Sequence, residues 1–289
     1  MSELKTRLVV GPLVVALVAG LMVLDASLRI HLGLGAILAL LVAAAMAEFY
    51  GMAQGMGHRP FRKLGIFMGT ILTAIQWWWL QTHRDTPDPT SALLVAALTV
   101  CFLRLRWRPQ PERRIEDAAF TLMGLFYVWL PLSFALRLRM EDWGWKAGPL
   151  AGHAALAFAV AAGKGSDIGA YFVGSRLGRH LLAPAVSPRK TWEGLGGAVL
   201  GGAAFGWAVA AAWPDALPVA PLQAGILGAL LGPLGQLADL GESLLKRQAG
   251  VKDSGALLPA LGGILDLMDS LILVLPCAYY GLLLFQRVA

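Results

Sequence analysis

Long apolar runs recur along the whole chain, and they restrict its fold more than any other feature of the sequence. A helix needs about 20 mostly apolar residues to cross the hydrocarbon core of a bilayer, and about nine runs approach that length. The runs cover residues 8–24, 32–50, 65–80, 91–105, 117–136, 147–163, 193–213, 220–240 and 262–285. Charged residues make up only 15% of the chain, whereas a soluble globular chain carries about a quarter. We therefore predict an all-α polytopic transmembrane helix bundle of about nine helices.

No internal repeat, linker or soluble segment divides the sequence. We expect a single membrane domain over residues 1–289. Within it, residues 1–145 form N-terminal helices whose role the sequence leaves undefined, and residues 146–289 carry most of the polar motifs.

The basic residues indicate which side of the membrane each loop occupies. Lys5 and Arg7 precede an apolar run that is long for a signal peptide, so we interpret residues 8–24 as the first transmembrane helix. When the loops alternate between the two sides, one side receives most of the 24 Lys and Arg residues. The positive-inside rule places that side in the cytoplasm and predicts a multi-pass protein of a membrane such as the bacterial inner membrane. The net charge of +6 lies in these short loops, so we do not expect nucleic-acid binding.

The stretch from Asp239 to Asp269 concentrates charged side chains between two apolar runs. If the preceding helix continues through residues 237–245, side chains three and four residues apart share one face. That face carries Asp239, Glu242, Ser243 and Lys246. The spacing recurs in Asp266, Asp269 and Ser270, and the loop between contains Arg247, Lys252 and Asp253. Aspartate is disfavoured beside membrane spans, so the stretch predicts metal or proton chemistry. Its charges also suit a divalent cation and the phosphates that such a cation neutralises.

A second polar stretch, residues 163–197, contains an aspartate in an apolar segment and a compact basic turn. Asp167 lies between two glycines in a segment apolar enough to be buried, and the turn reads Ser187-Pro188-Arg189-Lys190-Thr191. From the residues alone, two interpretations of the basic turn stay open: a phosphate-binding loop, or positive-inside anchors that face lipid headgroups. Glu48, after an Ala-rich run, stays open between support of a site and an ordinary carboxylate at a helix end.

Both stretches resemble the signature motifs of one family. The downstream motif reads Ser243-Leu-Leu-Lys246-Arg247, then Lys252-Asp253-Ser254-Gly255, Pro259, Gly262-Gly263, Asp266 and Asp269. The upstream motif reads Asp167-x-Gly-Ala-Tyr-Phe-x-Gly and continues with Ser187-Pro188-Arg189-Lys190-Thr191-x-Glu193-Gly194. In this order they resemble the CTP:phosphatidate cytidylyltransferases, which are the CDP-diacylglycerol synthases of membrane lipid synthesis. The N-terminal half resembles that family only in hydropathy.

The resemblance implies transfer of a cytidylyl group from CTP to phosphatidate, which gives CDP-diacylglycerol and pyrophosphate. It implies one or two Mg²⁺ ions, held by Asp239, Asp266 and Asp269. It also implies that Lys246, Arg247 and Lys252 bind the triphosphate or the leaving pyrophosphate, and that Asp253 orients one of these cations. The substrate-binding residues that it implies are Asp167, Ser187, Arg189, Lys190, Thr191, Ser243, Gly262 and Gly263.

The same resemblance makes residues 146–289 the catalytic half. CTP, phosphatidate and membrane lipids are the expected partners. Small-residue faces in a Gly- and Ala-rich chain also permit a homodimer.

Two departures from the family pattern keep other functions open. Leu261 stands where the pattern has histidine, and Leu267 stands where it has an arginine, whose charge-assisted phosphate contact leucine cannot replace. The alternatives are a catalytically impaired member that binds lipid or nucleotide, and an enzyme that acts on a different lipid phosphate. A transporter would also keep aspartates in the membrane, but it does not explain the basic turn, and we find no inverted repeats.

Overall fold

A computed structural model describes residues 32–82, 86–106, 114–141, 143, 149–217, 219–255 and 262–288. Three predicted features lie outside these residues: the first transmembrane helix at 8–24, Pro259 of the downstream motif, and the departure at Leu261. Within them the regular secondary structure is helical apart from one short hairpin, which confirms the all-α class.

The described elements follow one another in the order expected from the apolar runs. The helices are α1 (Leu32–Gly55), α2 (Arg62–Thr82), α3 (Thr90–Leu105), α4 (Arg114–Gly124), α5 (Leu130–Met140), α6 (Pro149–Leu177), α7 (Trp192–Ala212), α8 (Pro221–Gln248), α9 (Ile264–Met268) and α10 (Leu271–Val288). A π-helical turn, Leu125–Trp129, joins α4 to α5. Strands β1 (Leu181–Ala183) and β2 (Ser187–Thr191) pair antiparallel between α6 and α7.

Five helical segments in the described residues are long and apolar enough to cross a membrane. They are Leu32–Gly55, Ile115–Met140, Trp192–Ala212, Pro221–Gln248 and Ile264–Gln286. Each coincides with one of the predicted runs, which supports an integral membrane protein.

Three further predicted spans form helices that do not meet the same criteria. Helix α3 has 16 residues, which is shorter than the span of about 20 that a bilayer requires. Helices α2 and α6 have 21 and 29 residues, so they fall short in apolar character rather than in length. The predicted count of about nine membrane helices is therefore not confirmed.

The described chain divides into two compact units. The first contains the residues up to Leu136 together with Gln248–Leu267, and the second contains Arg137–Arg247 together with the residues from Met268 onward. The polar segment before α9 thus belongs with the N-terminal helices. The single membrane domain and its division at residue 145 stay predictions.

Tyr50 is the centre of the packing in the first unit. Its ring is fully buried on α1, and its hydroxyl donates to the carbonyl oxygen of Thr121 at 2.8 Å. A Cβ atom at Gly65 or Gly124 would overlap this ring, so both glycines are needed for the close packing of α1 with its neighbours. The Thr121 hydroxyl also accepts from the Phe61 amide at 2.8 Å, which fixes the start of α2.

In the second unit, glycines allow α6 and α7 to pack backbone against backbone. A Cβ atom at Gly169 would overlap the carbonyl oxygen of Gly197, and one at Gly201 would overlap that of Gly165. Small residues permit such close approach between membrane helices, where van der Waals packing supplies much of the stabilisation. This packing fixes the register of α6, which carries Asp167, against α7.

Candidate active site

Three carboxylates of the second unit converge in the structure. Asp239 and Glu242 lie one turn apart on α8, and Asp269 follows α9. One carboxylate oxygen from each lies within 4.8 Å of the others. Glu242 is completely buried, while Asp239 and Asp269 are partly accessible. We call these residues the acidic group.

Lysine side chains lie beside each member of the acidic group. Lys190 Nζ is 2.8 Å from Asp239 Oδ2, and Lys246 Nζ is 3.1 Å from Glu242 Oε2. Lys164 Nζ is 4.0 Å from Asp269 Oδ1. Partly buried carboxylates repel one another strongly, and these three cations offset that repulsion.

Asp167 holds the surroundings of the acidic group in place. Its Oδ2 atom accepts from Ser270 Oγ at 2.9 Å and pairs with Lys164 Nζ at 3.3 Å. Its Oδ1 atom accepts from Gln236 Nε2 at 3.0 Å. The Lys164 ammonium also donates to Ser270 Oγ at 2.9 Å, so α6, α8 and the start of α10 share one polar network.

A cleft of about 510 Å³ opens beside this network. We use the name polar wall for a set of polar residues in its lining: Asp167, Arg189, Lys190, Gln236 and Asp239. We use the name apolar wall for the mainly apolar residues in the same lining, which include Ala170, Tyr171, Gly174, Leu182 and Leu195. The cleft therefore suits a ligand that combines anionic and apolar parts.

The hairpin presents its two cations differently. Along β2, the Arg189 side chain is exposed at the cleft, whereas Lys190 is only 15% exposed and also donates to the Gln236 carbonyl oxygen at 3.0 Å. Thr191 ends the strand and caps α7, because its hydroxyl oxygen accepts from the Gly194 amide at 3.0 Å. The predicted substrate role of Thr191 stays a prediction beside this observed capping role.

Most residues of the downstream motif that belong to the second unit lie near the acidic group. Ser243 Oγ donates to Asp239 Oδ1 at 3.3 Å, and Lys246 pairs with Glu242. Arg247 is exposed, and its Nε atom donates to the carbonyl oxygen of Val186 in the hairpin turn at 3.4 Å. Ser187, at the start of β2, is half-buried.

The other residues of that motif belong to the first unit. Asp266, predicted as a metal ligand, accepts from the Ser254 amide and hydroxyl at 2.9 Å each and from the Gly263 amide at 2.8 Å. Gly262 has φ +90°, a left-handed conformation that favours glycine. Lys252 and Asp253 are exposed.

The structure thus joins Asp239 and Asp269 with Glu242. Glu242 was placed on the correct helix face by its spacing from Asp239, but the family motif did not single it out as a ligand. Lys164 and Gln236 were also missed as site residues. The signal for each was a spacing of three residues, from Lys164 to Asp167 on α6 and from Gln236 to Asp239 on α8.

The acidic group is chemically suited to a divalent cation. Mg²⁺ prefers oxygen ligands and is usually bound in proteins by a few carboxylates together with substrate phosphates. In an octahedral Mg²⁺ site, neighbouring oxygens are about 3 Å apart and opposite ones about 4 Å. Oxygens within 4.8 Å of one another need only a small closure to fit that arrangement.

Comparison with known proteins agrees with this chemistry. The model of the Cytidylyltransferase family matches residues 5–285. A phosphatidate cytidylyltransferase of Synechocystis sp. is 34% identical over 88% of this chain and 89% of its own length. One from Chlamydia pneumoniae is 30% identical over 99% and 94%, and one from Bacillus subtilis is 44% identical over 42% and 44%. The predicted family is therefore confirmed: the chain belongs to the cytidylyltransferase family.

Proposed function

We propose that the protein transfers the cytidylyl group of CTP to phosphatidate, producing CDP-diacylglycerol and pyrophosphate for phospholipid synthesis. The observation that carries this proposal is the cleft of the second unit, which Asp239 of the acidic group and its partner Lys190 line together with apolar side chains. The family membership and the full-length relatives named phosphatidate cytidylyltransferase support the same reaction.

In this reaction the protein mainly has to position the phosphate of phosphatidate against the α-phosphate of CTP and to neutralise their charge. A phosphate oxygen of phosphatidate forms a new bond to the α-phosphorus of CTP. The bond from that phosphorus to the bridging oxygen breaks, and the electron pair leaves with pyrophosphate. Because both reactants are anions, cations on the cleft wall lower the barrier by reducing repulsion as they approach.

We assign Asp239, Glu242 and Asp269 to Mg²⁺. When bound, Mg²⁺ neutralises phosphate oxygens and stabilises the charge that develops on them. Asp266 is not included in this assignment, because its carboxylate accepts hydrogen bonds from Ser254 and Gly263. Its role as a metal ligand stays a prediction.

Two sets of cations receive the substrates. Arg189 and Lys190 line the cleft, and the exposed guanidinium of Arg189 can bind a phosphate in a bidentate manner. Lys246, Arg247 and Lys252 are assigned to the triphosphate and the leaving pyrophosphate. These groups supply the positive charge that is lost where Leu267 replaces the arginine of the family pattern. We therefore propose an active enzyme rather than a catalytically impaired member.

The apolar wall would receive the lipid. Tyr171 is 72% exposed at this wall, and Leu182 and Leu195 lie in it. The diacylglycerol part of phosphatidate matches this surface, while its phosphate matches the polar wall. With the active site on the side that is rich in Lys and Arg, CTP reaches it from the cytoplasm while phosphatidate stays in the membrane.

Pyrophosphate release by the purified protein in detergent, with CTP, phosphatidate and Mg²⁺, tests the proposal. Release should require all three components and stop when EDTA removes the metal. Asp269→Asn and Glu242→Gln should each lower the rate at least about 100-fold, as expected when metal ligands are lost.

Asp215→Asn is the matched control, because Asp215 is exposed and lies outside the site. It should behave as the wild type. An inactive wild type that still binds CTP would favour the impaired-member alternative, and release only with another lipid phosphate would favour the second alternative. Either result would overturn phosphatidate transfer.

A further inference from the structure

Glu48 lies on α1 in the first unit, yet its carboxylate contacts residues more than 200 positions later. It is only 7% exposed, and it accepts three hydrogen bonds. Its Oε1 atom accepts from the Ile264 amide at 3.0 Å, and its Oε2 atom accepts from the Leu265 amide at 2.8 Å and from Ser254 Oγ at 3.0 Å. The interpretation of Glu48 as an ordinary helix-end carboxylate does not account for this arrangement.

The contacts provide acceptors for backbone amides at the start of a short helix. Ile264 and Leu265 are the first residues of α9, and the first amides of any helix lack intrahelical acceptors. Glu48 provides those acceptors from a different helix. In return, the donors stabilise a buried carboxylate that would otherwise be costly to remove from water.

Ser254 extends the network to the loop that carries the predicted phosphate-binding cation. Its hydroxyl lies 3.0 Å from Glu48 Oε2 and 2.9 Å from Asp266 Oδ2, and its amide donates to Asp266 at 2.9 Å. Lys252 and Asp253 immediately precede it. The segment Lys252–Gly255 is thus held at Ser254 by both carboxylates.

Two glycines make room for the Glu48 carboxylate. A Cβ atom at Gly255 would overlap Glu48 Oε1, and one at Gly263 would overlap Glu48 Oε2 and the Ser254 hydroxyl. The second of these is a glycine that the sequence predicted to contact substrate. Its position against Glu48 gives it a packing role of its own.

We propose that Glu48 is a positioning residue: it fixes the segment Lys252–Gly255 and the start of α9 in the conformation that binds the phosphates of CTP. This inference rests on the proposed function. Glu48 acts through Ser254 and the amides of α9, so it serves the nucleotide side of the reaction and leaves the lipid side unaffected.

Glu48→Gln tests the proposal with almost no change in volume. The amide keeps one oxygen, but its NH₂ group must face at least one of the donors that the carboxylate now accepts from. We expect KM for CTP to rise about 10-fold, which corresponds to one lost hydrogen bond to a charged group, while KM for phosphatidate stays within about two-fold. Ser254→Ala removes the link without changing the buried charge, so it should produce the same selective effect even if Glu48→Gln folds poorly.

Asp117→Asn is the matched control for a purely structural role. Asp117 is another buried acid of the first unit, 5% exposed, and its Oδ1 atom accepts from the Arg59 amide at 2.6 Å. This variant should lower the thermal midpoint without changing KM for CTP. Amide hydrogen exchange should become faster at Ile264 and Leu265 in Glu48→Gln and remain unchanged there in Asp117→Asn.

Three outcomes would overturn the positioning role: unchanged CTP kinetics in both Glu48→Gln and Ser254→Ala, an equal rise of KM for phosphatidate, or the same rise of KM for CTP in Asp117→Asn. Equilibrium binding of CTP separates this test from that of the proposed function. If the wild type binds CTP without turnover, transfer to phosphatidate fails, and weaker CTP binding by Glu48→Gln still supports the positioning role.

Discussion

Lys190 and Asp239 form an ion pair of 2.8 Å that joins β2 to α8 at the polar wall of the cleft. The same ammonium donates to the carbonyl oxygen of Gln236, so a single side chain connects the hairpin to the helix that carries two members of the acidic group. The basic turn is therefore more than a set of headgroup anchors. Its second cation pairs with a member of the acidic group.

Lys190→Met keeps most of the length of the side chain and removes its charge. We expect kcat/KM to fall about 100-fold or more, because the substrate loses a cation and Asp239 loses its closest ionic partner. The thermal midpoint should fall as well. Steady-state kinetics and a thermal unfolding assay in detergent measure the two effects.

Arg189→Met is the comparison for this prediction. Arg189 is exposed on the adjacent position of β2, so its loss should lower kcat/KM and leave the thermal midpoint unchanged. A Lys190→Met variant with activity within about three-fold of the wild type would contradict a role for this lysine at the phosphates.

The sequence predicted the helical part of the site because helix periodicity is a local property. Helix α8 runs through Gln248, so Asp239, Glu242 and Lys246 share a face as their spacing of three and four indicates. The contacts Ser243 to Asp239 and Lys246 to Glu242 follow from the same periodicity.

The choice between Glu242 and Asp266 could not be made from spacing. Asp266 and Asp269 have the spacing of one helix face, but α9 ends at Met268, and Asp266 is hydrogen-bonded to Ser254. Non-local contacts of this kind leave no periodic signal. The link from Glu48 to Ile264 is the extreme case, because nothing in the N-terminal run indicates a partner in the C-terminal half.

Hydropathy identified the helices better than it counted the membrane spans. Helix α6 was predicted as a span of residues 147–163, but it continues to Leu177 through Lys164 and Asp167, whose charges are paired with each other. Charges neutralised within a bundle lower the mean hydropathy of a helix without ending it. The apolar run therefore predicts that a helix forms, but it does not predict which part of that helix crosses the membrane.

Thr191→Val tests whether this threonine stabilises α7 as its cap. Valine has nearly the same shape but cannot accept a hydrogen bond from the Gly194 amide. The free energy of unfolding should therefore fall by about 1–2 kcal/mol. Thr191→Ser keeps the hydroxyl and should be close to the wild type. Equilibrium unfolding in SDS-containing mixed micelles measures both. Equal stability of Thr191→Val and the wild type would show that the cap contributes nothing.

Gly196 and Gly197 are adjacent on α7 and face different surroundings, which makes them a matched pair. A Cβ atom at Gly196 meets nothing within 4 Å, whereas one at Gly197 would overlap the Gly169 carbonyl oxygen and the Val173 side chain of α6. Gly196→Ala should therefore leave stability unchanged or raise it by up to about 1 kcal/mol through helix propensity. Gly197→Ala should lower it by about 1–3 kcal/mol, because two closely packed backbones must separate.

The same pair tests how packing supports the site. Separation of α6 from α7 would displace Asp167, so Gly197→Ala should also lower kcat/KM, while Gly196→Ala should retain wild-type kinetics. Unfolding in mixed micelles and steady-state pyrophosphate release provide the two measurements. Equal stability and activity of the two variants would contradict a glycine-dependent contact between these helices, since only the buried position carries a steric penalty.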